Sequence, residues 1–179
     1  MKTSFKHELI ARLFLIFLLV LFLPKVKPFQ KNEIDDNKIK LEIKNVVDEA
    51  YLKNKHFLYG IKSIVISKED LAFAPNNSGC EGQILGAYFN DTILLKDSGN
   101  STNKKTIYHE IGHNVYAKFN DEARSKWEEI FEKSENFVSP YARTNANEDF
   151  AESFSCYFAD VECKLEGEKL TFMEGIASI

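Results

Sequence analysis

The sequence predicts an α+β domain with a small sheet and a mainly helical C-terminal part. Two observations carry that expectation. Apolar residues recur at helical spacing near residue 40 and again beyond residue 104, whereas short β-branched or aromatic runs gather between residues 63 and 96. Composition sets the outer bounds. With 179 residues, 44% hydrophobic and 28% charged, the chain matches one globular domain preceded by a targeting segment. A chain of this length buries a core without needing staples. The net charge of -4, with no basic stripe interleaved with aromatics, gives no footprint for nucleic acid.

Lys2, Lys6 and Arg12 precede an unbroken apolar run from Leu13 to Leu23, which Pro24 ends. This is a positive stretch followed by a hydrophobic stretch of signal-peptide length. As a helix the run would reach roughly 16 Å, well short of a bilayer core of about 30 Å. Lys25 and Lys27 follow directly, with no small-x-small cleavage site. Residues 1–28 are therefore expected to be a signal peptide or, left uncleaved, an N-terminal membrane anchor. Residues 29–179 are expected to form the folded domain, and Pro28 to Asn37, polar and charged, reads as a linker.

The first helix is expected from about Asp36 to Lys53, on the recurrence of Ile39, Ile43, Val46, Val47, Ala50 and Tyr51. Ser63 to Ser67 reads as a strand, and Pro75 to Gly79 as a loop by its breakers. Gln83 to Phe89 and Thr92 to Lys96 are two more strands, joined by the turn pair Asn90-Asp91. Gly82 and Gly86 flank the first of them and hint at a bulge or a close backbone approach. Thr102 or Asn103 is placed to cap a helix running to about Phe119. A second helix follows from Asp121 to Asn136, with Ala123, Trp127, Ile130 and Phe131 on one face. Phe137 to Ala146 is a loop, Asn147 caps a third helix to about Asp160, and Glu168 to Ile179 is a short amphipathic segment. Cys80, Cys156 and Cys163 are odd in number and none has C-x-x-C spacing. At most one intramolecular disulfide can form, and if Cys156 and Cys163 both lay on one continuous helix their separation of about 10 Å would forbid bridging; small buried hydrophobes are the favoured reading. Three N-x-[ST] sequons begin at Asn76, Asn90 and Asn100 and matter only in a eukaryotic secretory pathway.

The chemistry lies in His109-Glu110-Ile111-Gly112-His113, an H-E-x-x-H pattern inside a predicted helix. Spacing of i, i+4 sets both imidazoles on one face, about 5–6 Å apart at Cβ, so both reach one tetrahedral ion. Glu110 sits beside them without being a ligand, placed to take a proton from water activated by zinc. Gly112 costs about 1 kcal/mol of helix propensity, so its place there implies a packing or functional reason.

A catalytic zinc needs a third protein ligand and leaves its fourth position to water, whereas structural zinc is normally closed by four. Downstream, the candidates are acidic. Glu148 and Glu152 stand i, i+4 on the third helix, so that one can bind the ion while the other accepts a hydrogen bond from the far nitrogen of a ligating histidine.

Asn147-Glu148 with an acid at 152 is similar to the N-E-x-x-(S/A)-(D/E) helix of the gluzincin metallopeptidases. Residues Tyr141 to Phe154 resemble Y-x-x-T-N-x-x-E-x-F-A-E-x-F, the stretch that typifies the anthrax lethal factor C-terminal catalytic domain and the secreted Pro-Pro endopeptidases. The resemblance runs roughly from Gly82 to Phe154 and is specific at the two motifs. It implies a zincin-like metallopeptidase domain with a small mixed sheet and an active-site helix that carries H-E-x-x-H. It also implies Glu148 as third zinc ligand, Glu152 as the partner of a ligating histidine, and Tyr141 as a stabiliser of the transition state. A phenol aimed at a developing oxyanion suits that role. By analogy with zincins, the Gln83 to Phe89 strand would pair with an extended substrate, with Gly86-Ala87-Tyr88 at the rim.

The expected protein is thus a secreted, monomeric zinc endopeptidase holding one Zn2+ per chain. It would act on extended peptides or proteins outside the cell and touch a membrane only through an uncleaved N-terminal segment. A host-directed toxin peptidase and a catalytically silent zinc-binding surface domain are the rival expectations. A toxin of the lethal-factor kind needs a separate carrier-binding domain, for which this chain has no room. The substrate sequence is not legible: Trp127 lies on a core-facing helix and marks no subsite.

Overall fold

The computed structural model describes residues 37–68, 71, 85–97, 104–160 and 162–178. The chain divides into two units, Met1–Glu33 and Ile34–Ile179, and all described residues belong to the second. The targeting segment, the Pro75 to Gly79 loop, Cys80 and the start of the Gln83 strand lie outside the described residues, as do the caps expected at Thr102 or Asn103. No helix among the described residues is long and apolar enough to cross a membrane.

Helix α1 spans Asn37–Lys53 and buries Ile43 and Ala50, with Val46 and Val47 packed against them. Tyr51, counted with that stripe from the sequence, is 56% exposed instead. One residue past Ala50 the helix has turned about 100°, which carries the ring off the buried face. A 3-10 turn at Lys55–Leu58 follows, capped by the Asn54 side chain accepting from the His56 amide, and it buries Phe57.

The sheet has three strands in the order β1-β3-β2: β1 Ser63–Ser67, β2 Gly86–Phe89 and β3 Thr92–Lys96. It is mixed, β1 running parallel to β3 and β2 antiparallel. Asn90 and Asp91 join β2 to β3 with φ of 49° and 61°. Positive φ at both positions is the type I′ hairpin geometry, which short Asn and Asp side chains tolerate. Ile93 and Leu95 of β3 are wholly buried and meet Ile107 and Ile111 in the core.

Helix α2 spans Lys104–Ala117 and carries His109 to His113 through the centre of the molecule. It ends two residues before the expected Phe119, where the Lys118 and Phe119 amides turn to 3-10 bonds on Val115 and Tyr116. Helix α3, Asp121–Lys133, is capped by Asn120 and has Asp121 and Glu122 in its first turn, where the helix dipole favours them. Trp127 is buried, and its indole donates to the Ala146 carbonyl at 2.9 Å. The expected extension to Asn136 stops at Lys133, with the Ser134 hydroxyl donating to the Ile130 carbonyl.

Helix α4 spans Ala146–Phe158 and packs against α2 more extensively than any other pair of elements touches. Its N-cap is Asn145, whose side chain accepts from the Glu148 amide at 2.9 Å. The cap was expected at Asn147; that residue lies inside the first turn, and its side chain does other work. Gly112 makes the close packing possible, because a Cβ there would stand 2.9 Å from the Ala151 Cα. Around this contact Phe57 meets Phe154 and Phe158 edge to face, and Trp127 meets Phe150 at 5.1 Å between centroids. Helix α5, Gly167–Ala177, adds Met173 and Ile176 to the core.

Cys156 and Cys163 form a disulfide, with Cα atoms 5.8 Å apart. This corrects the expectation of unpaired cysteines. Helix α4 ends at Phe158 and Asp160 adopts φ 52°, so the chain reverses and returns Cys163 to Cys156.

Candidate metal centre

One turn of α2 separates His109 from His113, and the first turn of α4 sets Glu148 against both. The two Nε2 atoms are 3.0 Å apart, and Glu148 Oε2 lies 3.3 Å from each. These three atoms form a nearly equilateral triangle. An ion bound tetrahedrally at about 2.0–2.1 Å holds its ligand atoms about 3.3 Å apart, so the triangle has the size of one face of such a site. The side chains are 11%, 11% and 2% exposed in the order His109, His113, Glu148. Together they are a group able to hold a metal ion.

The far nitrogen of each ring is engaged. His109 Nδ1 lies 2.9 Å from Glu152 Oε1, and His113 Nδ1 lies 3.0 Å from the Asn147 side-chain oxygen. Both partners are acceptors, so each Nδ1 carries the hydrogen and each Nε2 faces the triangle. Glu152 is itself held by Lys105, whose ammonium reaches Oε2 at 3.1 Å.

The site is built for a positive charge. Burial works to lower the His109 pKa, but its hydrogen bonds to Glu148 and Glu152 outweigh that, and it is pushed up to about 10. Burial likewise opposes ionisation of Glu148 and Glu152. The histidines hold Glu148 well below the usual carboxylate range, and His109 and Ser139 do so for Glu152.

Glu110 differs from both. It is 3% exposed, and its Oε2 has no hydrogen-bond partner among the described residues. Burial pushes its carboxyl up, against the pull of His109 and His113. A carboxylate whose pKa is raised by burial is a stronger base than a solvated one. Strand β2 passes directly over it: a Cβ on Gly86 would stand 2.6 Å from Glu110 Oε1 and 2.9 Å from the Thr106 methyl. The close approach expected of this glycine is thus an approach to Glu110. Tyr88, two residues on, anchors the strand to α2, its hydroxyl lying 3.1 Å from Asn114 Oδ1. The buried Asn114 amide in turn donates to the Phe57 and Tyr59 carbonyls at 2.9 and 3.1 Å.

Tyr141 opens a 3-10 turn, Tyr141–Arg143, within the expected loop. Its ring lies 6.0 Å from the His109 ring, tilted by 31°, and is half-buried. The fold therefore gathers His109, Glu110, His113, Tyr141, Glu148 and Glu152 around one point. Sequence reasoning missed Asn147 and Lys105. Lys105 had a signal, since it stands four residues before His109 on the same helical face. Asn147 had none, because its contact with His113 depends on how α4 crosses α2.

No protein-family model matches the chain, and no curated protein matches it.

Proposed function

We propose that the chain is a zinc-dependent endopeptidase of gluzincin type, with His109, His113 and Glu148 as metal ligands and Glu110 as general base. The observation that carries this reading is the triangle of two imidazole nitrogens and one carboxylate oxygen beside the buried Glu110, whose Oε2 has no hydrogen-bond partner among the described residues. Two histidines and one glutamate are the donors zinc takes in hydrolytic sites, where three protein ligands leave a position for reactants. A structural site would be closed by a fourth protein ligand, and the group found among the described residues has three. Bound zinc would lower the pKa of a water and polarise the scissile carbonyl.

The protein's own groups then divide the work. Glu110 takes the proton of the attacking water and delivers it to the leaving amine. Tyr141 donates its phenol hydrogen to the oxyanion. Glu152 and Asn147 fix the histidine rings, and Lys105 keeps Glu152 in place. Strand β2, at one edge of the sheet and above Glu110, is suited to pair with an extended peptide. The substrate class is thus an extended segment of a protein, as for the Pro-Pro endopeptidases. The apolar run from Leu13 to Leu23 supports export of a monomeric enzyme, and the Cys156–Cys163 disulfide is consistent with an oxidising compartment.

The test is cleavage of a peptide library by purified protein, with and without a chelator. Chelator-sensitive cleavage, abolished in Glu110→Ala while one zinc per chain remains, is the expected result. Zinc binding with no cleavage of any peptide would instead favour a silent zinc-binding domain.

A further inference from the structure

Lys169 is 5% exposed, an unusual position for a lysine, and lies near the start of α5. Its ammonium donates to Asp149 Oδ1 at 2.7 Å and to the Asn136 carbonyl at 3.2 Å. It also stands 4.0 Å from the centre of the Phe137 ring. Asp149 is wholly buried and follows Glu148 in the first turn of α4. On the other side of this network, the Arg143 guanidinium stands 4.7 Å from the same Phe137 ring. Arg143 closes the 3-10 turn that Tyr141 opens. One buried cation therefore joins α5, the turn of α4 that carries Glu148, and the start of the segment that carries Tyr141.

Stability alone does not account for this arrangement. A buried ion pair seldom exceeds a well-packed apolar isostere in net stability, whereas its hydrogen bonds hold a particular geometry, here through Asp149 Oδ1, since Oδ2 has no hydrogen-bond partner among the described residues. A methionine at 169 would fill the space but hold neither Asp149 nor the Asn136 carbonyl. Other contacts hold the same segment: the Phe137 ring lies 5.7 Å from the Phe131 ring, and hydrogen bonds act further along. The Ala142 amide donates to the Ser139 hydroxyl oxygen at 3.1 Å, and the Thr144 hydroxyl donates to the Tyr141 carbonyl at 2.7 Å.

We propose that Lys169 is a positioning residue, which sets Tyr141 against the metal centre by locking Asn136 and Phe137 to Asp149. This rests on the role given to Tyr141 above. The test uses the zinc-loaded full chain with Lys169→Met, and with the double change Asp149→Asn, Lys169→Met, which leaves no charge buried alone. Hydrogen exchange of residues 136–144 is followed by mass spectrometry. Peptide cleavage is measured in the presence of Tyr141 and again in a Tyr141→Phe background. Both variants should keep one zinc per chain and exchange the 136–144 segment roughly tenfold faster, with the middle of α2 unchanged. Turnover should fall with KM unchanged, and the fall should vanish in the Tyr141→Phe background. Unchanged exchange in that segment, or an equal fall in the Tyr141→Phe background, overturns the proposal. Should Lys169→Met fail to fold, the double variant carries the same comparison. Should the unaltered protein cleave nothing, the peptidase reading fails, and the exchange measurement still decides whether Lys169 fixes the segment.

Discussion

Gly86 and Glu110 share space that only a hydrogen at the α-carbon permits: a methyl on the strand would stand 2.6 Å from the carboxylate oxygen below it. Either the strand lifts or the carboxylate turns away, and both would move the proposed base relative to a peptide paired with β2. Gly86→Ala is expected to lower kcat roughly tenfold to a hundredfold, a share of the 10²–10⁴ that general-base catalysis supplies. Zinc content should be unchanged. Steady-state kinetics beside metal analysis checks this, and loss of zinc would place the damage elsewhere.

Glu148 and Glu152 both touch His109 but have different tasks. Glu148 Oε2 lies in the triangle, whereas Glu152 reaches only the far nitrogen. Glu148→Ala should abolish stoichiometric zinc binding. Glu152→Ala should weaken it by about 10–100-fold, the usual cost of losing a partner behind a metal histidine. Competition titration with a chromophoric chelator separates the two. The opposite order of effects would exchange the assignments.

On the proposed reading, zinc would displace a proton that the raised His109 ring favours. Because that ring titrates at about 10, the metal-free site is protonated throughout the neutral range. Affinity should therefore rise with pH, by about tenfold per unit for one proton released, from neutrality up to about 10. Calorimetry in buffers of different ionisation enthalpy should report about one proton released per zinc at pH 7. A pH-independent affinity would show that the ring is neutral before the metal arrives.

Gly112 stands where α2 and α4 nearly touch. Alanine would add about 1 kcal/mol of helix propensity. Its methyl would meet the Ala151 Cα at 2.9 Å and the Phe154 Cβ at 3.2 Å, and backbone cannot step aside cheaply. Overpacking of this kind costs about 1–3 kcal/mol, so a net loss of stability is expected in Gly112→Ala. Because α4 carries Glu148, zinc affinity should fall with it. Thermal unfolding of the metal-free and zinc-loaded protein measures both.

Local pattern alone was enough to place α1, the three strands, α2 and the i, i+4 pair of histidines. Helical and strand periods, the Asn90-Asp91 turn and the H-E-x-x-H spacing are properties of neighbouring residues, so they are legible without a fold. The downstream glutamates were legible too, as a pair on one helical face. Tertiary structure decided what those residues meet. The Asn145 cap, the return of Cys163 to Cys156, the hold of Asn147 on His113 and the buried Lys169 all depend on helix crossing and chain reversal. Those follow from packing, above all from the contact that Gly112 allows between α2 and α4, and from no spacing along the chain. Sequence alone named the metal-binding residue types; the packing of α4 and β2 against α2 made three of them a triangle and gave Glu110 its buried place.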